Sequence, residues 1–154
     1  MDIELLDPIW CAEFRGFFWG EGYLGITSWG VNPNKGSIRL MARIQISIRD
    51  DDADVLIDIH RKLGGVLTYQ DNNRLHAKAN PICIWRVTRK AEILRVLDVL
   101  ENGALPSKKR LQIAILREFM DTVPAPGKKP TQAEYLKREH LHRQIKQFHS
   151  YQIV

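Results

Sequence analysis

Ser37-Ile38-Arg39-Leu40-Met41-Ala42-Arg43-Ile44-Gln45-Ile46-Ser47-Ile48-Arg49 places an aliphatic side chain at every even position and, Met41 aside, a polar or cationic one at every odd position. A period of two is the mark of a β-strand with one buried face, because successive side chains of a strand point to opposite sides. The other face carries Arg39, Arg43, Gln45, Ser47 and Arg49 and no carboxylate. A merely solvated face usually mixes both signs. Arg and Gln can pair bidentately with guanine and adenine edges, and a two-stranded ribbon fits a major groove, so the strand points to nucleic acid as well as to a fold class. A solvated sheet face is the plainer alternative.

The flanking residues supply the rest of the fold. Asn32-Pro33-Asn34-Lys35-Gly36 is a turn, and residues 23–31 before it read as the partner strand of a hairpin. Upstream, Asp7-Pro8 opens a helix striped by Trp10, Phe14, Phe17 and Phe18, with Gly22 expected to stop it in the left-handed conformation. Downstream, Asp50–Asp52 offer N-caps for a second helix with Leu56, Ile59 and Leu63 on one face, closed by Gly64-Gly65. Residues 66–70 and 81–87 are shorter strands around a polar connection. Thr88 is expected to cap a third helix, 107–123 reads as a fourth, and Pro-rich 124–130 as a linker. Thr131 and Glu134 form the capping box of a basic last helix reaching about His149. The order αββαββααα predicts an α+β fold, a curved antiparallel sheet with helices on one face.

A chain of 154 residues fits one domain. A core over 1–123 followed by a basic linker and helix over 124–154 describes its organisation. Lys plus Arg number 23 against 18 Asp plus Glu, for a net charge of +5 and a pI near 9.4, which suits acidic partners. The charge is uneven: residues 1–22 hold Asp2, Glu4, Asp7, Glu13 and Glu21 against Arg15 alone. Lys128, Lys129, Lys137, Arg138, Arg143 and Lys146 outnumber Glu134 and Glu139 in the last segment, which could grip a phosphate backbone or simply face water. No apolar run reaches the ~18 residues of a membrane span, and the acidic start is unlike a secretory signal, so the expectation is an intracellular protein without a membrane partner. Cys11 and Cys83 stand without a Cys-x-x-Cys, signalling neither a disulfide framework nor structural zinc.

The first helix is costly in isolation. Gly16 and Gly20 lie on one helix face, and each interior glycine costs about 1 kcal/mol relative to alanine. Either the chain's own sheet or another helix must approach closely there. Glu21 sits at the carboxyl end, where the helix dipole disfavours an anion unless a cation is bound.

Phe14-Arg15-Gly16-Phe17-Phe18-Trp19-Gly20-Glu21-Gly22 resembles the nine-residue signature of the LAGLIDADG homing endonucleases, with Gly16, Gly20, Glu21 and Gly22 in matching places. Residues 43–65 resemble the family's second strand, acidic turn and second helix, and 105–119 its Lys-rich final core helix. Trp19 departs from the family's usual Asp, which bears on helix-end packing, and Ile48 stands where many members carry a polar residue near the active site.

The resemblance implies a metal-dependent DNA endonuclease that cuts one phosphodiester in each strand and leaves short 3′ overhangs. With one such motif in the chain, it implies a homodimer on a pseudo-palindromic site of roughly 20 base pairs, joined through Glu13, Gly16 and Gly20. Glu21 and the Gly20 carbonyl would hold Mg2+ or another hard divalent cation. Lys108 or Lys109 would stabilise the developing phosphorane charge. Base and backbone contacts fall to Thr27, Trp29, Lys35, Arg39, Arg43, Gln45, Ser47 and Arg49 on the long hairpin, and to Thr68, Gln70, Arg74 and Lys78 on the second. Two other classes stay open. One is a nuclease-inactive DNA-binding regulator; the other is an intron-encoded maturase that binds intron RNA. Bacterial or archaeal cytoplasm or an organelle would suit any of the three.

Overall fold

The computed structural model describes residues 5–32, 37–71 and 81–149, apart from the side chains of 29–32 and 37–38. Its elements follow the expected order: α1 (Pro8–Glu21), β1 (Gly22–Asn32), β2 (Ser37–Arg49), a 3-10 turn (Asp50–Asp52), α2 (Ala53–Leu63), β3 (Val66–Gln70), β4 (Ile82–Val87), α3 (Lys90–Glu101), α4 (Ser107–Asp121) and α5 (Gln132–Lys146). The strands form one open antiparallel sheet in the order β1-β2-β4-β3, an α+β fold. The chain condenses into two compact units, one of residues 1–23 with 44–104 and the other of 24–43 with 105–154. No helix among the described residues is long and apolar enough to cross a membrane.

In the first unit the period-two pattern becomes burial. Ile44 and Ile46 are fully buried and pair with Val87 and Trp85, while Gln45, Ser47 and Arg49 pair with Arg86, Ile84 and Ile82 on the opposite face. On the far side of β4, Leu67 meets Trp85, and Val66, Thr68 and Gln70 meet Arg86, Ile84 and Ile82. The helices bury Phe14, Phe18, Leu56, Ile59, Leu63, Ile93, Val96 and Leu97 with the inner sheet face. Each such side chain contributes about 1.5–3 kcal/mol by leaving water. Trp85 is fully buried, lies edge-on to Phe14 at 6.1 Å, and donates its indole N–H to the Gly64 carbonyl at 2.8 Å. Gly64 and Gly65 both have positive φ (78° and 86°), and a Cβ on Gly65 would lie 2.8 Å from the Arg86 carbonyl. Cys11 and Cys83 are buried free thiols whose pKa values burial pushes up.

Three local expectations fail. Gly22 is extended (φ −84°, ψ 144°), so it does not end α1 as a left-handed cap. Its need for glycine is steric: a Cβ would sit 2.5 Å from the Phe18 ring. The N-cap of α3 is Arg89, with no side-chain cap bond, rather than Thr88. Glu92, placed to serve that end of the helix, instead accepts from the Gly65 N–H. The Asp-rich start of α2 folds as a 3-10 turn, and Asp52 makes no side-chain cap bond.

The second unit buries Leu24 and Ile26 of β1, Leu40 and Ala42 of β2, Ile113, Leu116, Phe119 and Met120 of α4, and Leu141 and Ile145 of α5. Arg138 lies 4.8 Å above the Phe119 ring and donates to the Leu40 carbonyl at 2.9 Å. The capping box is formed as expected: the Glu134 N–H donates to Thr131 Oγ1 and the Thr131 N–H to Glu134 Oε1. The helix ends at Lys146, three residues before His149.

Candidate active site and nucleic-acid interface

The first helix presents two unlike faces. At about 100° per residue, Ile9, Glu13, Gly16 and Gly20 share a narrow stripe opposite Cys11, Phe14 and Phe18. The latter three are buried, whereas the stripe is exposed, Ile9 to 70%. A Cβ on Gly16 or Gly20 would meet nothing within 4 Å. The chain's own sheet therefore does not require these glycines, and that explanation for them is set aside. Trp19 is also exposed, at 39%, and does not serve as core packing at the helix end.

Glu21 is the last residue of α1 and is exposed. It lies at a pocket whose apolar wall is Phe17, Ile48, Val55 and Ile82, with Ser47, Arg49 and Asp52 as its polar side. Ile48 thus does stand beside the acid, where it brings no hydrogen-bonding group. Arg49 is 3.4 Å from Asp51, an exposed pair that contributes little and leaves its side chain able to reach elsewhere. Among the described residues no three His, Cys, Asp or Glu side chains converge into a metal cage. What the helix end offers is an exposed carboxylate and, beyond the Phe18 carbonyl that accepts from the Gly22 N–H, the backbone carbonyls that follow it in the last turn of α1. These are hard oxygens, and they fit an ion that keeps most of its waters.

In the second unit the two candidate lysines differ. Lys108 is exposed and Lys109 half-buried. Burial, and secondarily the Lys108 charge, hold the Lys109 ammonium below its ordinary pKa. By helical spacing Lys109 lies within the buried arc of Ile113, Leu116 and Met120, and Lys108 at the edge of that arc beside Gln112 and Phe119. His149 stands 2.8 Å from the Leu24 carbonyl, and its pKa is lowered by burial first, with Lys109 and Lys108 adding to the effect.

On the outward sheet face, the first unit aligns Gln45, Ser47, Arg49, Thr68 and Gln70 as the period predicts. In the second unit Arg39 is exposed, Arg43 is half-buried, and Thr27 Oγ1 donates to the Met41 carbonyl at 3.4 Å. Lys35, Arg74 and Lys78 lie outside the described residues, as does the Trp29 side chain. Arg86 was missed by sequence reasoning, since 81–87 reads as an apolar run with one cation in it. Its alternation with Ile82 and Ile84 was the available signal. Its Nε donates to Gln45 Oε1 at 3.1 Å.

The sequence profile described as LAGLIDADG endonuclease matches residues 14–120. No curated protein matches the chain. Among solved structures, the fold is similar to the homing endonuclease I-CvuI, in a complex with target DNA left uncleaved in the presence of magnesium. There the TM-score is 0.73 and the identity 13%, over 95% of this chain and 85% of that one. It is similar to the archaeal intron-encoded homing endonuclease I-Vdi141I, complexed with DNA, with TM-score 0.70 and 18% identity over 95% and 87% of the two chains. It is also similar to the homing endonuclease I-TnaI, with TM-score 0.66 and 19% identity over 96% and 97%.

Proposed function

The chain belongs to the LAGLIDADG endonuclease family, and from that premise we propose that it is a site-specific double-stranded DNA endonuclease acting as a homodimer. The observation that carries the reading is α1, where an exposed stripe with two glycines that its own fold does not need runs up to an exposed terminal carboxylate. Two copies of the stripe crossing at Gly16 and Gly20 form an isologous contact, with Glu13 at its edge, and bring two Glu21 carboxylates together, one for each strand. The reaction is hydrolysis of one phosphodiester per strand with short 3′ overhangs. Glu21 and the Gly20 carbonyl would hold a hard divalent cation such as Mg2+, whose chemistry there would be charge stabilisation at a phosphate and activation of water. Lys109, partly withdrawn from water, is favoured over Lys108 to stabilise charge gathering on the phosphate. Arg39, Arg43, Thr68 and Gln70 face bases and backbone from the sheet, with Arg49 placed for phosphate.

One observation favours a second reading. The pocket beside Glu21 is walled by Phe17, Ile48, Val55 and Ile82, a poor setting for a nucleophilic water and an acceptable one for a DNA-binding protein that no longer cuts. The experiment that separates them uses the host locus with any intron or intein removed, incubated with Mg2+ or Mn2+. The nuclease reading expects both strands cut by wild type and intact DNA, still bound, with Glu21→Gln. Tight binding by wild type with no cleavage in either metal would select the binder instead. Sedimentation of the DNA complex as one protein chain would remove the homodimer.

A further inference from the structure

Resting on the DNA-contact reading of the sheet, we propose that Arg86 reads a guanine in each half-site, and that Gln45 is a positioning residue holding its guanidinium rather than a base reader itself. Gln45 and Arg86 are directly opposite on β2 and β4 and point to the same outward face. Arg86 Nε donates to Gln45 Oε1 at 3.1 Å, and Gln45 Nε2 donates to Ser47 Oγ at 3.0 Å. The amide is therefore fixed at both ends: its oxygen is turned to the cation and its nitrogen to the hydroxyl. A bidentate contact to adenine needs the same oxygen and nitrogen together, and both already have partners.

Arg86 is left in the opposite condition. Among the described residues only its Nε is engaged, on one edge of the fork, so the terminal nitrogens keep the paired N–H groups that match guanine O6 and N7. Its other cross-strand neighbour, Val66, is 59% exposed and offers no acceptor. Among the described residues no carboxylate pairs with Arg86. A guanidinium steered by a neutral amide keeps its full charge for an incoming acceptor, where a carboxylate partner would cancel it and compete.

The experiment selects bound sequences from a randomised DNA library with the full-length protein, then compares wild type, Arg86→Ala, Gln45→Ala and Gln45→Glu. Wild type is expected to enrich a guanine at one position of each half-site. Arg86→Ala loses that preference about tenfold to a hundredfold and leaves other positions unchanged. Gln45→Ala weakens the same position and no other, with an unchanged melting temperature, and Gln45→Glu, whose carboxylate pairs with the guanidinium and competes with the base, weakens that same position as well. Relaxation of a different base pair by Gln45→Ala would make Gln45 a reader and overturn the proposal. Uniform weakening by Arg86→Ala, with a shallower salt dependence, would make Arg86 a phosphate contact and overturn it too. A wild type that enriches no sequence would remove the DNA-contact reading itself, and the proposal with it.

Discussion

The two faces of α1 share one backbone and differ in every interaction. On the inner face Phe14 and Phe18 are buried, Trp10 stacks on Phe14 at 5.4 Å, and the Trp10 indole donates to Asp58 Oδ2 at 2.7 Å. On the outer face Ile9 is exposed and two glycines have empty space beyond them. Glycine also occurs next to the inner face, at Gly22, where the Phe18 ring leaves no room for a Cβ. The same residue type is required by the fold at one position and not at the others, which the proposed homodimer contact would account for. Only the surroundings tell the two cases apart.

The largest expected effect breaks the outer face. Gly16→Leu should abolish assembly, measured by sedimentation, and with it DNA cleavage, while circular dichroism stays native. If the Gly16→Leu protein still assembles and cuts, the stripe is not the joining surface. Next comes the inner side, where Gly22→Ala drives a methyl into a buried ring and should cost about 2 kcal/mol by urea denaturation. Gly16→Ala should act with the opposite sign on the separate subunit, stabilising it by about 1 kcal/mol through helix propensity alone. If both alanines destabilise equally, the distinction between the faces is lost.

The smallest effect concerns acid. The Trp10 indole, and then Lys62, hold the Asp58 carboxyl below its ordinary pKa. That stabilisation is present above the unfolded value of about 3.9 and is lost as pH falls through the folded one. Trp10→Phe should therefore lower stability slightly at pH 7, with the gap to wild type narrowing below about pH 4. A gap that does not change with pH would assign the loss to packing alone.

The sheet was legible because alternation over thirteen residues has one interpretation, and Ile44 and Ile46 are buried where it puts them. The helix ends were less so. Thr88 has a good capping side chain, but Glu92 is engaged across the unit by Gly65, and a partner 27 residues away cannot be read from local spacing. Gly22 followed the rule for helix stops while serving Phe18 instead. At the candidate site Glu21 and the glycine pair were legible through the motif. Arg86 was not, because its role depends on which residue of β2 stands opposite, and cross-strand register is a tertiary fact.

The bonds that converge on Gly64 and Gly65 carry a consequence for the order of folding. Trp85 and Glu92 reach that glycine pair across sequence separations of 21 and 27, whereas the bonds fastening α1, Trp10 to Asp58 and Arg15 to the Val99 carbonyl, span 48 and 84. Each doubling of a closed loop adds only about 0.6 kcal/mol, yet two doublings already slow a closure several-fold. As a hypothesis, α2, β3, β4 and α3 form the early nucleus and α1 docks late, giving φ-values near zero at Trp10 and substantial ones at Trp85. The reverse pattern would sink it. On this order the helix that bears the candidate catalytic acid is the last piece of its unit to be secured and the first to be released.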